Sequence, residues 1–168
     1  MGHEDHRKSA ESIVARCAVV TLSDTRTQAS DQSGALLKEL LAEAGHVVGA
    51  YHILRDEPDE LAKLLGELLG RPDIDVILTN GGTGISMRDS TVEVVQRLLD
   101  RPLSGFGELF RMLSYQQIGP SAMLSRAVGG LARGKVIFAL PGSTRAVELA
   151  MKALILPELR HLVWELRR

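Results

Sequence analysis

The stretch that decides the fold is residues 74–84, IDVILTNGGTG. Residues 74–79 form a short, largely apolar run that is typical of a buried strand, and Asn80-Gly81-Gly82-Thr83-Gly84 follows directly. Glycines in such number lower the stability of a regular element, so they indicate a backbone that turns sharply or approaches a ligand closely. Successive exposed N–H groups in such a loop can bind an anion. The alternative is a tight strand-to-helix turn that binds nothing.

Strand-like and helix-like segments alternate on both sides of this loop. The patterns predict strands at residues 16–23, 47–54 and 74–79, a hairpin over 127–140, and helices at 33–44, 58–69, 90–99, 107–117, 143–156 and from 157 onward. Ser90 and Glu93 have the spacing of a capping box. Such alternation predicts an α/β fold with three α/β/α layers, in which the sheet is mostly parallel with one antiparallel edge strand.

Length and composition suit one soluble domain. The chain has 168 residues, 45% of them hydrophobic and 24% charged, and its formal net charge is −1. The absence of a basic excess argues against nucleic acid as a partner, and the lack of a long apolar run argues against a membrane span. We expect a flexible tail at residues 1–12, a single domain at 13–168 and, without a secretory h-region, a cytoplasmic location. His3 and His6 in the tail are expected to be solvated rather than metal-bound.

Two further polar loops follow predicted strands. One contains Ser23, Asp24, Asp31 and Ser33, and the other is Pro141-Gly142-Ser143-Thr144-Arg145. Ligands of such folds bind outside the carboxyl ends of the strands, where these loops would meet the glycine loop. Three anion-binding loops on one sheet edge favour an elongated ligand with more than one anionic group, although Asp31 or Ser33 could simply cap a helix.

Common nucleotide-binding motifs are incomplete in this chain. Residues 82–87, GTGISM, lack the last glycine of the dinucleotide fingerprint, and residues 129–136 have Val136 where a P-loop has Ser or Thr. A Rossmann dehydrogenase and a Walker NTPase are therefore excluded.

Two acidic residues flank the predicted loops. Asp56 follows the second strand, and Asp89 follows the glycine loop. Each could merely cap a helix. Beside bound phosphates, however, two carboxylates would be repelled unless a cation lay between them, and Mg²⁺ prefers such oxygen ligands.

The remaining candidates are less specific. Arg111 and Arg126 are possible phosphate or substrate contacts, or else pair with Glu108 or another subunit. The single cysteine, Cys17, excludes an intrachain disulfide and a cysteine zinc site, and we expect it to be a buried apolar residue. The other histidines lack metal-binding spacing and are interpreted as structural: His46, His52 and His161.

Taken in order, these residues resemble the MoaB/Mog family of molybdenum cofactor biosynthesis proteins from about Arg16 onward. The resemblance is carried by the segments TLSD (21–24), DQSG (31–34), TNGGTG (79–84), RD (88–89), GFGE (105–108), SRA (125–127) and PGS (141–143). Residues 105–130 resemble the MoaB branch more closely than the Mog branch. The family has a molybdopterin-binding domain fold.

The resemblance implies adenylylation of molybdopterin by MgATP, with release of pyrophosphate. Asp56 and Asp89 match the essential acids of the family, which implies catalysis and Mg²⁺ binding. The residues implied to bind substrate or nucleotide are Ser23, Asp24, Asp31, Ser33, Gly81, Gly82, Thr83, Gly84, Ser125, Pro141, Gly142 and Ser143.

The resemblance also implies partners. Family members form homotrimers or homohexamers, and the product can be handed to a molybdate-insertion protein. The alternative function is a catalytically inactive molybdopterin-binding or scaffold paralog.

Overall fold

A six-stranded sheet forms the middle layer of the protein, whose computed structural model describes residues 9–168. The strands are β1 (Arg16–Leu22), β2 (Val47–Leu54), β3 (Val76–Asn80), β4 (Arg101–Pro102), β5 (Val128–Ala132) and β6 (Lys135–Leu140). Their order across the sheet is β2-β1-β3-β6-β5-β4. The four strands from β2 to β6 are parallel, whereas β5 and β4 are antiparallel to their neighbours. The predicted fold class is therefore confirmed, with the two-residue β4 extending the expected antiparallel edge.

Helices cover both faces of the sheet. They are α1 (Gln32–Glu43), α2 (Pro58–Leu69), α3 (Thr91–Leu98), α4 (Ser104–Ile118), α5 (Thr144–Ala150) and α6 (Leu156–Arg167). A 3₁₀ segment, Gly119–Leu124, follows α4, and a π-helical turn, Met151–Ile155, joins α5 to α6. One apolar core lies between the sheet and α1, α4, α5 and α6. The other lies between the sheet and α2 and α3.

One of the two helix-end signals in the sequence has its expected structural role, and the other does not. Gly45, after α1, has φ +82°, as a glycine that terminates a helix should. The predicted capping box is wrong, because Ser90 makes no side-chain cap at the start of α3. Glu93 instead forms an ion pair with Arg126.

Cys17 and His46 are both buried in the structure. Cys17 is fully buried, and this burial raises the pKa of its thiol to about 12. His46 accepts the backbone N–H of Ala15 (3.0 Å), in agreement with a structural role. His3, His6 and most of the predicted tail lie outside the described residues, although Ala10 is buried at 2% exposure. Among residues 9–168, none of the helices has the length and apolar character needed to cross a bilayer.

Candidate functional site

The loops that follow β1, β2, β3 and β6 meet at the carboxyl edge of the sheet. Backbone hydrogen bonds join them in pairs: the Ser23 N–H donates to Leu54 O (2.8 Å), and the Gly81 N–H donates to Leu140 O (2.9 Å). The parallel alignment of these strands, together with these bonds, brings all three predicted polar loops to one edge.

The glycine loop adopts a backbone that other residues rarely allow. Gly81 has φ +100° and Gly82 has φ +71°. A Cβ atom on Gly81 would lie 2.3 Å from Leu22 O, and one on Gly82 would lie 2.2 Å from Thr91 Oγ1. Packing and backbone geometry therefore already require these two glycines, whether or not a ligand approaches them.

Both predicted acids lie beside this loop. A Cβ atom on Gly82 would lie 3.3 Å from Asp56 Oδ1, and one on Gly84 would lie 2.8 Å from Asp89 Oδ2. Asp89 Oδ2 also accepts the N–H of Ser86 (2.9 Å). The structure thus places Asp56 and Asp89 on the same side of the molecule, against consecutive turns of one loop.

The electrostatics around Asp56 are unbalanced. Partial burial raises the pKa of Asp56 above its ordinary value, and the negative charges of Asp24 and Asp89 raise it further. The positive charge of Arg88 opposes this increase by lowering the pKa of Asp56. A cation bound beside Asp56 and Asp89 would relieve this repulsion.

The donor set fits a magnesium ion that is shared with phosphate. Within residues 9–168, no group of three or more histidine, cysteine, aspartate or glutamate side chains is arranged to hold a metal ion. Mg²⁺ in proteins is commonly bound by one or two carboxylates, with phosphate and water oxygens completing its octahedron. Asp56 and Asp89 could therefore supply the protein's share of such a site.

Asp31 has a structural position below the loops. It is only 2% exposed, and it caps α1 by accepting the N–H of Gly34 (3.0 Å). Its Oδ2 also accepts the hydroxyls of Thr21 (2.6 Å) and Tyr51 (2.5 Å). Burial alone would raise the pKa of Asp31, but these three donors outweigh it and lower the pKa. The capping alternative applies here, so Asp31 supports the site from beneath.

Ser33 and Asp24 also bind other parts of the chain. Ser33 is fully buried, and its Oγ donates to Gly142 O (2.5 Å). Asp24 accepts the backbone N–H of Asp56 (3.1 Å) and two hydrogen bonds from Arg88 (2.8 and 3.1 Å). These side chains fix the loops relative to one another.

The two arginines proposed as phosphate contacts are bound to the protein itself. Arg126 donates to the backbone oxygens of Gly84 (2.7 Å) and Asp89 (2.9 Å), and Arg111 donates to Ala127 O (2.9 Å). Within residues 9–168, neither arginine forms the suggested ion pair with Glu108. Ser125 Oγ is buried without a hydrogen-bond partner in that part of the chain.

The sequence did not identify Arg26 and Arg88 as the arginines that join the loops. Arg26 donates to Gly142 O (2.9 Å) and Ser33 Oγ (3.2 Å), which connects the loops after β1 and β6. Arg88 connects the loop after β3 to those after β1 and β2. Their place between strand ends and helix starts is a weak signal, because partners 64 and 116 residues away cannot be read from local spacing.

Two cavities lie near the acids. A pocket of about 440 Å³ is lined by Ser86, Asp89 and Arg126, among others. A second cavity, of about 490 Å³, is lined by Ser104, Arg111 and Ser125, and Arg126 also contributes to its wall. Both volumes suit small molecules. We regard the pocket beside Asp89 as the more relevant one, because it contains a predicted acid whereas the larger cavity contains neither.

Comparisons with known proteins show the family to which the chain belongs. Residues 18–161 match the family described as a probable molybdopterin binding domain, and the chain belongs to that family. It is 54% identical to molybdenum cofactor biosynthesis protein B of Bacillus cereus, over 100% of this chain and 99% of that protein. A crystal structure of a molybdenum cofactor biosynthesis protein B has 55% identity and a TM-score of 0.90, with 93% of this chain and 98% of that chain covered.

A more distant structure shares the same fold. The tungsten cofactor synthesizing protein MoaB from Pyrococcus furiosus is 36% identical, with a TM-score of 0.82 over 92% of this chain and 98% of that chain. Within the family, the chain therefore resembles the MoaB proteins over nearly its whole length, as predicted.

Proposed function

We propose that the protein is a molybdopterin adenylyltransferase, which transfers the adenylyl group of ATP to the terminal phosphate of molybdopterin. A phosphate oxygen of molybdopterin forms a bond to the α-phosphorus of ATP. The bond from that phosphorus to the β-phosphate oxygen breaks, and pyrophosphate leaves with the bonding electrons. The proposal agrees with the family and with the names of its relatives.

The observation that carries the proposal is the position of Asp56 and Asp89 against one glycine loop. Both reactants are anions, so a catalyst has to neutralise and align them. A Mg²⁺ ion held by the two aspartates would supply positive charge to the phosphates. The Gly81 N–H is already bound to Leu140 O, so the backbone N–H groups of residues 82–84 are the ones that would orient phosphate oxygens.

Other loop residues complete the proposed cleft. Ser143 is exposed at the start of α5, where its Oγ accepts the N–H of Ala146 (3.1 Å) and its own hydroxyl hydrogen remains able to donate to a ligand. Ser23 and residues 141–142 border the same edge. Asp24, Asp31 and Ser33 hold these loops in place, and the ligand contact that the resemblance implies for them stays a prediction.

The proposal is tested by incubating the purified protein with molybdopterin and MgATP. Adenylyl-molybdopterin and pyrophosphate should form in equal amounts, and Asp56→Asn or Asp89→Asn should lower their rate of formation by a factor on the order of 100 or more. Asp59→Asn, three residues from Asp56 in the exposed first turn of α2, is the matched control and should remain active. Binding of molybdopterin without product from the unaltered protein would instead identify the inactive paralog.

Self-association is a second part of the proposal. The outer face of α4 and the 3₁₀ segment exposes six large apolar side chains: Leu109, Met112, Tyr115, Ile118, Met123 and Leu124. An apolar patch of this kind supports contact with another subunit, in line with the expected homotrimer or homohexamer. Sedimentation analysis of Met112→Glu against the unaltered protein tests it.

Handover of the product to a molybdate-insertion protein stays a prediction.

A further inference from the structure

Arg88 is the side chain that joins the acidic loops of the site. Its Nε and Nη2 bind the two carboxylate oxygens of Asp24 (3.1 and 2.8 Å), while its Nη1 binds Glu57 Oε1 (3.2 Å). The two parallel bonds to Asp24 form the bidentate geometry that fixes a guanidinium in direction as well as distance. A single side chain thus contacts the loops after β1 and β2.

The contacts of Arg88 extend to both predicted catalytic groups through the backbone. Arg88 directly precedes Asp89, so fixing its side chain also restrains the loop that carries Asp89. Asp24 Oδ1, which Arg88 binds, accepts the N–H of Asp56 as well (3.1 Å). One guanidinium is therefore linked to Asp56 through Asp24 and to Asp89 through the chain.

This arrangement contributes little to the stability of the fold. The side chains of Arg88, Asp24 and Glu57 are 54%, 41% and 45% exposed, and ion pairs at such exposure stabilise proteins weakly. Within residues 9–168, Asp24 and Glu57 form no ion pair with any other cation. The bonds instead define the local geometry of three loops.

We propose that Arg88 is a positioning residue, whose guanidinium holds the two catalytic aspartates at a fixed separation across the mouth of the site. This inference rests on the proposed function, since the separation matters only if both aspartates act on one reaction. The hydrogen bonds of Arg88 described above go to carboxylates. Arg26 and Arg126 differ, because each of them also binds backbone oxygens.

The first test needs no substrate and measures amide hydrogen exchange. In Arg88→Ala, exchange should accelerate at Asp56 and in residues 84–90, while the melting temperature stays within about 2 °C of the unaltered protein. Arg71→Ala is the matched control, because Arg71 forms a similar exposed bidentate pair with Asp73 away from these loops. Unchanged exchange at Asp56 and in residues 84–90 would overturn the inference.

The second test is a double-mutant cycle on MgATP affinity, measured by calorimetry. Misplacement by about 1 Å can reduce activity on the order of 100-fold, so we expect Arg88→Ala to weaken binding by roughly 10-fold, as a fraction of that effect. If Arg88 acts through Asp24, adding Asp24→Asn should cause no further loss, because the link is already broken. Additive losses would mean that Arg88 does not act through Asp24, which would contradict the proposed positioning role.

Arg88→Lys separates geometry from charge. Lysine keeps the positive charge but cannot bind Asp24 in bidentate fashion and Glu57 at the same time. It should therefore behave like Arg88→Ala, and full restoration of affinity by lysine would overturn the inference. If the unaltered protein does not bind MgATP, the proposed function fails, whereas the exchange experiment still decides the role of Arg88.

Discussion

An aspartate lies at each end of the parallel strands, and the surroundings shift the pKa of the two carboxyl groups in opposite directions. At the amino edge, Asp75 precedes β3 and is bound by Arg16 (2.9 and 3.0 Å) and Arg167 (2.7 Å). Burial alone would raise the pKa of Asp75, but these arginines outweigh it and hold the pKa far below its ordinary value. At the carboxyl edge, burial and neighbouring acids raise the pKa of Asp56.

The difference separates structural charge from charge that is available for a ligand. The arginines beside Asp75 compensate its charge, so this contact ties the end of α6 to β1 and to the start of β3. The charge beside Asp56 is left partly uncompensated, as the proposed cation site requires. A stable protein can maintain such a site because other regions, including the amino edge, provide the stability.

The largest expected effect is on activity at the carboxyl edge. Asp89→Asn preserves the size of the side chain but removes its charge, so adenylyl transfer should fall by a factor on the order of 100 to 1,000. Product formation measures the effect, and thermal unfolding should show a nearly unchanged protein. Activity near that of the unaltered protein would remove Asp89 from the mechanism.

The reverse pattern is expected at the amino edge. Asp75→Ala removes the carboxylate that binds Arg16 and Arg167, and charged hydrogen bonds of this kind are worth about 2–3 kcal/mol together after allowance for their partial exposure. Urea unfolding should show a loss of that size. The folded variant should retain its activity, and a comparable loss of activity per folded molecule would contradict the contrast between the edges.

A smaller effect on stability is expected from the glycine loop. Gly82→Ala places a side chain at φ +71° and against Thr91 Oγ1, and the left-handed backbone alone costs about 1–2 kcal/mol. Gly66→Ala is the control, since a Cβ at that helical position meets nothing within 4 Å. It should stabilise the protein by roughly 0.5–1 kcal/mol. Equal effects of the two substitutions, measured by urea unfolding, would refute the conformational argument.

The smallest expected effect is the acid dependence of stability. The pKa of Asp75 is lowered in the folded protein from an ordinary value of 3.8, so the unfolded chain binds the proton more readily. Its contribution is complete above pH of about 5 and is lost as the pH falls through 4 towards the folded pKa. Asp75→Asn should therefore flatten the decline in unfolding free energy between pH 5 and pH 2.5. An identical slope in both proteins would show that Asp75 does not cause the decline.

The sequence predicted those features that depend on neighbouring residues. Apolar runs located β1 and β3, and the glycines of residues 81–84 located the turn between β3 and α3. The two-residue β4 is too short to show a periodic pattern. Glu93 was expected in a capping box, but its carboxylate binds Arg126, which lies 33 residues away and cannot be found from local spacing. The same limit applies to Asp31, whose hydrogen bonds from Thr21 and Tyr51 form only when β1 and β2 come together.

The central claim is that the acidic carboxyl edge accepts phosphates only together with a divalent cation. Calorimetric titration of the protein with ATP, in magnesium and in EDTA, tests this most directly. We predict binding in magnesium and binding weakened at least 10-fold in EDTA, because the uncompensated carboxylates repel free phosphates. Equal affinity under both conditions would contradict the claim.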